Sequence, residues 1–144
     1  MSAFTHVHHV NFLYRDLDAA VARFEKLGFG PFLREDLDER GVRTARVQIG
    51  PTWFVLVSPT RPDSVPGRHL ARHGEGFFLI SVGVDDLDRA MADIEAGGCP
   101  VGPPRRGLAG WRVADLTGER TQGLALQLTE DPEGFSGMIR GPRR

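Results

Sequence analysis

The sequence predicts an α+β fold made of two copies of one unit, and three observations carry that reading. Residues 10–29 align with residues 80–99 without a gap at an offset of 70, with Asp16/Asp86, Leu17/Leu87, Asp18/Asp88, Ala20/Ala90, Ala22/Ala92, Glu25/Glu95 and Gly28/Gly98 identical. A period of about 70 residues in a chain of 144 means two structural repeats. In each copy, apolar residues alternate with a period of two and then switch to helical spacing at the same point. The composition, 40% hydrophobic and 26% charged, is that of an ordinary globular domain.

His8 to Tyr14 alternates and is rich in β-branched and aromatic residues, so it reads as a strand. Asp16 then offers an N-cap, Leu17, Ala20, Val21, Phe24 and Leu27 share one helical face, and Gly28 stops the helix. Arg34 to Gly41 reads as a charged turn, followed by strands at Arg43–Ile49 and Trp53–Val57 joined by Gly50-Pro51-Thr52. Pro59, Pro62 and Pro66 mark a connector. The second copy repeats the order: strand Phe77–Val84, cap Asp86, helical face Leu87, Ala90, Met91 and Ile94, stop Gly97-Gly98, and strands near Trp111–Asp115 and Leu124–Thr129. The expected organisation is one domain over 1–144, with repeats at about 5–60 and 75–130, a connector over 60–74 and a loose tail over 131–144. Gly102 to Gly110, rich in proline and glycine, is a candidate lid.

A formal net charge of -1 gives no electrostatic case for nucleic acid. The longest apolar stretch, Phe77 to Val84, is strand-sized, so no membrane span is expected, and the single Cys99 excludes an intrachain disulfide. With no leader-like N-terminus, the expected location is the cytoplasm. The paired Asp-Leu-Asp segments could be read as carboxylates sharing a cation, but helix capping explains their spacing better.

Strand parity assigns faces. Val10, Phe12 and Tyr14 should pack on the first helix, leaving His9, Asn11 and Leu13 on the other side, while Leu79, Ser81 and Gly83 point away from the second helix. His6 and His8 have the opposite parity to His9, so an extended strand would not bring all three together. His69 and His73, spaced i, i+4, read as a solvent-facing pair.

The segments HHVNFLYRDLDAAVARFEKLGF, GPTWFVLVSP, HGEGFFLISVGVDDLDRAMADIEAGG and GWRVADLTGERTQGLALQLTE resemble the vicinal oxygen chelate superfamily, also called the glyoxalase, bleomycin-resistance and extradiol dioxygenase superfamily. The likeness spans residues of about 5 to 130 and is greatest to methylmalonyl-CoA epimerase-like members. It implies two tandem βαβββ modules whose mixed sheets curve round a shared cavity, commonly as a homodimer. Metal-binding relatives place four ligands at positions that fall here on His9, Val55, Leu79 and Gln127, and an epimerase-type base at the position of Thr44. Val55 and Leu79 cannot coordinate, and Thr44 is not basic near neutral pH. No metal or other cofactor is therefore expected, a divalent ion at His9 and Gln127 included.

The pocket expected in its place is mostly apolar, lined by Leu13, Val55, Val57, Leu79, Ser81, Ala125 and Thr129, with Trp53 and Trp111 at its rim. His9 is the candidate acid or base, with Asn11 and Gln127 to polarise a carbonyl. Arg61, Arg68, Arg72, Arg105, Arg106 and Arg112 read either as scattered surface charge or as contacts to the phosphates of a CoA-type ligand. Three functions follow. The first is a metal-independent protein that binds an apolar carbonyl-bearing or aromatic small molecule. The second is a metal-free isomerase, cyclase or lyase using His9 on a secondary metabolite or acyl thioester. The third is a divalent-metal-dependent epimerase.

Overall fold

The computed structural model describes residues 4–116, 121 and 123–134. In chain order its elements are β1 (Phe4–Leu13), α1 (Leu17–Lys26), β2 (Leu33–Leu37), β3 (Val42–Ile49), β4 (Thr52–Pro59), α2 (Val65–His73), β5 (Gly76–Val84), α3 (Leu87–Ala96), β6 (Arg105–Arg106), β7 (Arg112–Leu116) and β8 (Leu126–Glu130). The fold is mixed α+β, as the sequence predicts. It divides into two compact units, and the division cuts through β1: residues up to His9 join Gly50–Thr52 and everything from Leu79 onward, while Val10–Ile49 joins Trp53–Phe78.

In the unit containing α1, hydrogen-bonded neighbours run β2-β3-β4-β1. Asp16 caps α1 as expected, its side chain accepting from the Ala19 N–H at 3.1 Å, and Arg23 and Lys26 complement the helix dipole in the last turn. Leu17, Ala20 and Val21 pack on Ala45 and Leu56, with Phe12, Tyr14, Phe24, Phe32 and Phe54 around them. Leu27, expected on the same face, is instead 66% exposed because it lies past the last helical turn as the C-cap.

One expectation fails here. The charged turn after Arg34 holds a strand: β2 pairs antiparallel with β3, setting Glu35 opposite Thr44 and Leu33 opposite Arg46. Its charges suit a strand at a sheet edge, where they discourage pairing with another chain, and pairing with β3 overrides its weak β-propensity. The connector holds the helix that the i, i+4 spacing of His69 and His73 allowed. Ser64 accepts from the Gly67 N–H at 3.1 Å and starts α2, with Pro66 in the first turn where no amide hydrogen is needed.

In the other unit the order is β1-β5-β8-β7-β6. β8 runs parallel to β5 and antiparallel to β7. Asp86 caps α3 through the Arg89 N–H at 3.1 Å, and Leu87, Ala90, Met91 and Ile94 pack on Val82, Val84, Ala114, Leu116 and Leu128. The candidate lid is tied to β7. Arg105–Arg106 pairs with Arg112–Val113, and the Gly107 N–H donates to the Trp111 carbonyl at 2.7 Å. The start of the supposed loose tail is anchored as well, through Asp131; residues 135–144 lie outside the described residues.

Candidate functional site

A buried polar chain runs through the unit of β5 and β8. His8 and His9 are consecutive, yet both are buried, at 0% and 3% exposure. Strand alternation breaks here, at the point where β1 passes from one compact unit to the other. Their Nδ1 atoms are 2.9 Å apart, so two of the three histidines of β1 meet, without the three forming a ligand set among the described residues. His8 Nε2 donates to Asp131 Oδ2 at 2.7 Å. Gln127 Nε2 donates to Asp115 Oδ1 at 3.1 Å, which leaves the amide carbonyl for its hydrogen bond with His9. Arg105 pairs with the other oxygen of Asp115.

The donor and acceptor count then assigns the protons. The Gln127 carbonyl accepts from His9, and His8 donates from Nε2 to the Asp131 carboxylate. Burial, then the charge on His8, hold His9 well below its ordinary 6.5, with the Gln127 bond opposing them. His9 is thus a neutral imidazole with both nitrogens engaged. Trp111, 3% exposed, stacks on it with centroids 5.0 Å apart and an interplanar angle of 21°, and meets His8 edge-on at 4.5 Å. Ser81 Oγ and Thr129 Oγ1 lie 2.5 Å apart, both fully buried, and Ser81 also donates to the Gln127 carbonyl oxygen of the main chain at 3.1 Å. Leu79 is buried at 8% exposure, whereas Ala125 precedes β8 and supplies a carbonyl to the Ile80 N–H.

In the unit of α1, the sheet face turned away from the helix carries Asn11, Leu13, Thr44, Arg46, Trp53, Val55 and Val57. Leu13, Val55 and Val57 are buried, Thr44 donates to the Glu35 carbonyl at 2.6 Å, and Arg46 NH1 lies 2.8 Å from Glu35 Oε1. The Arg46 guanidinium sits 5.2 Å from the centre of the Trp53 ring. Asn11 Oδ1 is buried with no hydrogen-bond partner among the described residues. In the same unit, a cavity of about 320 Å³ is lined by Arg15, Thr60, Arg61, Gly67 and Leu70. Its Arg61 is held by the Asp38 and Glu39 carbonyls and by Asp63.

Three of the six arginines weighed for phosphate contact pair with carboxylates. Arg61 meets Asp63, Arg105 meets Asp115, and Arg112 meets Asp88 and Glu130. His69 and His73 stack at 4.6 Å; His69 is half-buried against Phe78 rather than solvent-facing.

Sequence reasoning missed Asp131, Asp115, Glu35 and Arg46. Only Glu35 left a signal, the Leu33, Glu35, Leu37 alternation hidden by its charged neighbours. The four positions that metal-binding relatives use supply one imidazole and one amide here, both already hydrogen-bonded, beside two hydrocarbon side chains. That set does not fit a divalent ion, and among the described residues no three His, Cys, Asp or Glu side chains converge elsewhere to hold one.

The architecture has well-matched solved counterparts. Variants of the Streptomyces coelicolor methylmalonyl-CoA epimerase in complex with 2-nitronate-propionyl-CoA superpose with TM-scores of 0.85 to 0.86 at 34 to 35% identity, one matched pair covering 90% of this chain and 99% of that one. The Mycobacterium tuberculosis methylmalonyl-CoA epimerase gives a TM-score of 0.86 at 26% identity, with 91% of each chain covered. A hypothetical protein from Bacillus halodurans, at 23% identity and a TM-score of 0.83 over 89% of this chain and 95% of that one, shares the fold. No curated protein matches the chain. Residues 8–114 match the family model of the glyoxalase, bleomycin resistance protein and dioxygenase superfamily, and the chain belongs to that superfamily.

Proposed function

We propose that this protein binds a carbonyl-bearing small molecule, an acyl-CoA thioester, without a metal ion. The observation that carries this reading is the engagement of both His9 nitrogens, one with His8 and one with Gln127, beneath the Trp111 ring. A metal would have to break that chain to reach the imidazole, and only a neutral amide stands ready as its second ligand. The same engagement speaks against His9 as a general acid or base, since a group must reach the proton it moves. The thioester class is supported by the likeness to epimerase structures that hold methylmalonyl-CoA and 2-nitronate-propionyl-CoA.

Thermal denaturation with propionyl-CoA and methylmalonyl-CoA, in chelator and in excess cobalt, tests both halves. A ligand that binds the folded state at 100 times its Kd stabilises it by about 2.7 kcal/mol. The expected result is a clear upward shift of Tm with a thioester that chelator does not reduce. A shift that requires cobalt overturns the metal-free half. No shift with either thioester, beside a clear shift with an aromatic metabolite, overturns the ligand class.

A further inference from the structure

A second concave surface lies away from the sheet face described above. The cavity of about 320 Å³ forms where β1 and β4 end and the connector begins, and none of the residues named on that sheet face lines it. Arg15, Arg61 and the Thr60 hydroxyl stand on it, and Pro62, Leu70 and Ala71 supply hydrocarbon. Arg15 occupies the position at which the second copy of the repeat has Asp85, and α2 lies in the connector, outside both copies. The two cations therefore come together only at this end of the chain. Close backbone packing sets the walls. Ser64 Oγ donates to the Arg61 carbonyl at 2.9 Å and accepts from the Gly67 N–H at 3.1 Å. A Cβ on Gly67 would stand 2.5 Å from the Arg61 carbonyl oxygen and 2.9 Å from that of Pro62, so glycine lets α2 come this near the segment before it. The Arg61 side chain is fixed as well. Its Nη1 and Nη2 donate to the Asp38 and Glu39 carbonyls at 3.3 and 3.4 Å, its Nε lies 3.3 Å from Asp63 Oδ1, and its Cζ is 2.9 Å from where a Cβ on Gly41 would be. Those contacts leave part of the guanidinium's five N–H groups for a ligand, on a side chain that is still 46% exposed. Glu75 takes the Arg15 main-chain N–H at 2.9 Å, and among the described residues no carboxylate pairs with the Arg15 guanidinium.

We infer that this cavity binds a small organic carboxylate at a site separate from that of the thioester. The carboxylate oxygens take N–H groups of Arg61 and Arg15 and the Thr60 hydroxyl, and the apolar body of the ligand lies against Pro62, Leu70 and Ala71. A guanidinium fixed before binding loses little freedom when it takes up an anion, and its planar fork matches a carboxylate. The volume equals that of about ten waters at ~30 Å³ each, which is the size of an arylacetate. A carboxylate suits the lining better than a phosphate does. The donors are two guanidinia and one hydroxyl, and a dianionic phosphate seated among the remaining hydrocarbon would give up more hydration than they return. The inference does not depend on the thioester class proposed above.

Titration of the ¹⁵N-labelled protein with phenylacetate, followed by amide chemical shifts, tests the site. Saturable shifts should centre on Thr60, Arg61 and Ala71, and neutral phenylacetamide should bind about 10-fold more weakly or worse. Arg15→Gln changes an exposed side chain and should raise the phenylacetate Kd about 10-fold or more, the loss expected for a hydrogen bond to a charged group. Ala71→Phe, which fills the apolar side, should abolish the shifts. Saturating propionyl-CoA should leave the phenylacetate Kd unchanged. Displacement of phenylacetate by the thioester overturns the separate site. Native affinity in both Arg15→Gln and Ala71→Phe, or no saturable shift at all, overturns the cavity as the place of binding. Shifts at these residues with inorganic phosphate and none with phenylacetate overturn the carboxylate class.

Discussion

His8 Nε2 lies 2.7 Å from Asp131 Oδ2, joining the first strand to the residue just past the last one, with side-chain exposures of 0% and 8%. Burial pushes the Asp131 carboxyl up, and hydrogen bonds from His8 and the Glu133 N–H more than reverse this, so it sits below its ordinary 3.8. A depressed carboxyl contributes stability that is full above the unfolded value and lost as pH falls through the folded one. Asp131→Asn should therefore cost about 1–3 kcal/mol at pH 7. In urea titrations the gap to the native protein should close below about pH 4. An unchanged midpoint at pH 7 would show that this contact contributes nothing.

His9 gives a second pH signature. Its folded value lies well below 6.5, so the unfolded chain binds the proton first as the solution is acidified. The stability it contributes is full above pH 6.5 and declines as pH falls toward the lowered value, by up to about 1.4 kcal/mol per pH unit. His6 and His69 are lowered as well, so the native slope is shared and the variant isolates one part of it. His9→Gln should flatten the stability curve between pH 6.5 and 5. Parallel curves for the two proteins would contradict a neutral, buried His9.

What was legible in the sequence was local. Asp16 and Asp86 announce their helices because a cap is settled within three residues, and the apolar faces of α1 and α3 follow from spacing alone. Glu35 was only faintly legible, because β2 is a strand only through its pairing with β3, and Arg46, although on a predicted strand, gained its role only from that partner. Asp131 was hidden for a stronger reason. Its partner is 123 residues away, and a lone aspartate at a strand end has no periodicity to reveal it. Nor did parity reveal that the His8 and His9 rings meet, at the point where β1 changes the company it keeps.

Ser81 and Thr129 offer a test of coupling inside the buried polar region. Their hydroxyls are 2.5 Å apart in a place neither shares with solvent. Ser81→Ala or Thr129→Val alone strands a partner and should cost about 1–3 kcal/mol. With both replaced no hydroxyl is left stranded from this pair, so the double variant should lose less than the sum, by about 0.5–3 kcal/mol. Ser81 also donates to the Gln127 main-chain carbonyl, which keeps its single cost the larger. Strict additivity in chemical denaturation would mean that the two hydroxyls act independently.

Gly83 marks where the two copies of the repeat part ways. The matching position in the first copy is Leu13, fully buried, whereas a Cβ on Gly83 would stand 2.7 Å from His6 Cε1 and 2.8 Å from Thr5 Oγ1. The His6 ring, bonded to Thr5 at 2.8 Å, thus occupies the space that a side chain would claim, and the glycine is needed for that approach rather than for a special backbone angle. Gly83→Ala should destabilise the protein by roughly 1–3 kcal/mol through overpacking. The obstacle is the end of a side chain rather than backbone, so His6→Ala should relieve most of the cost and leave the smaller part due to Thr5. The comparison is Tm and urea midpoint for Gly83→Ala in the native and His6→Ala backgrounds. Equal penalties in both would place the constraint in the backbone of β5 and not in the ring packed over it.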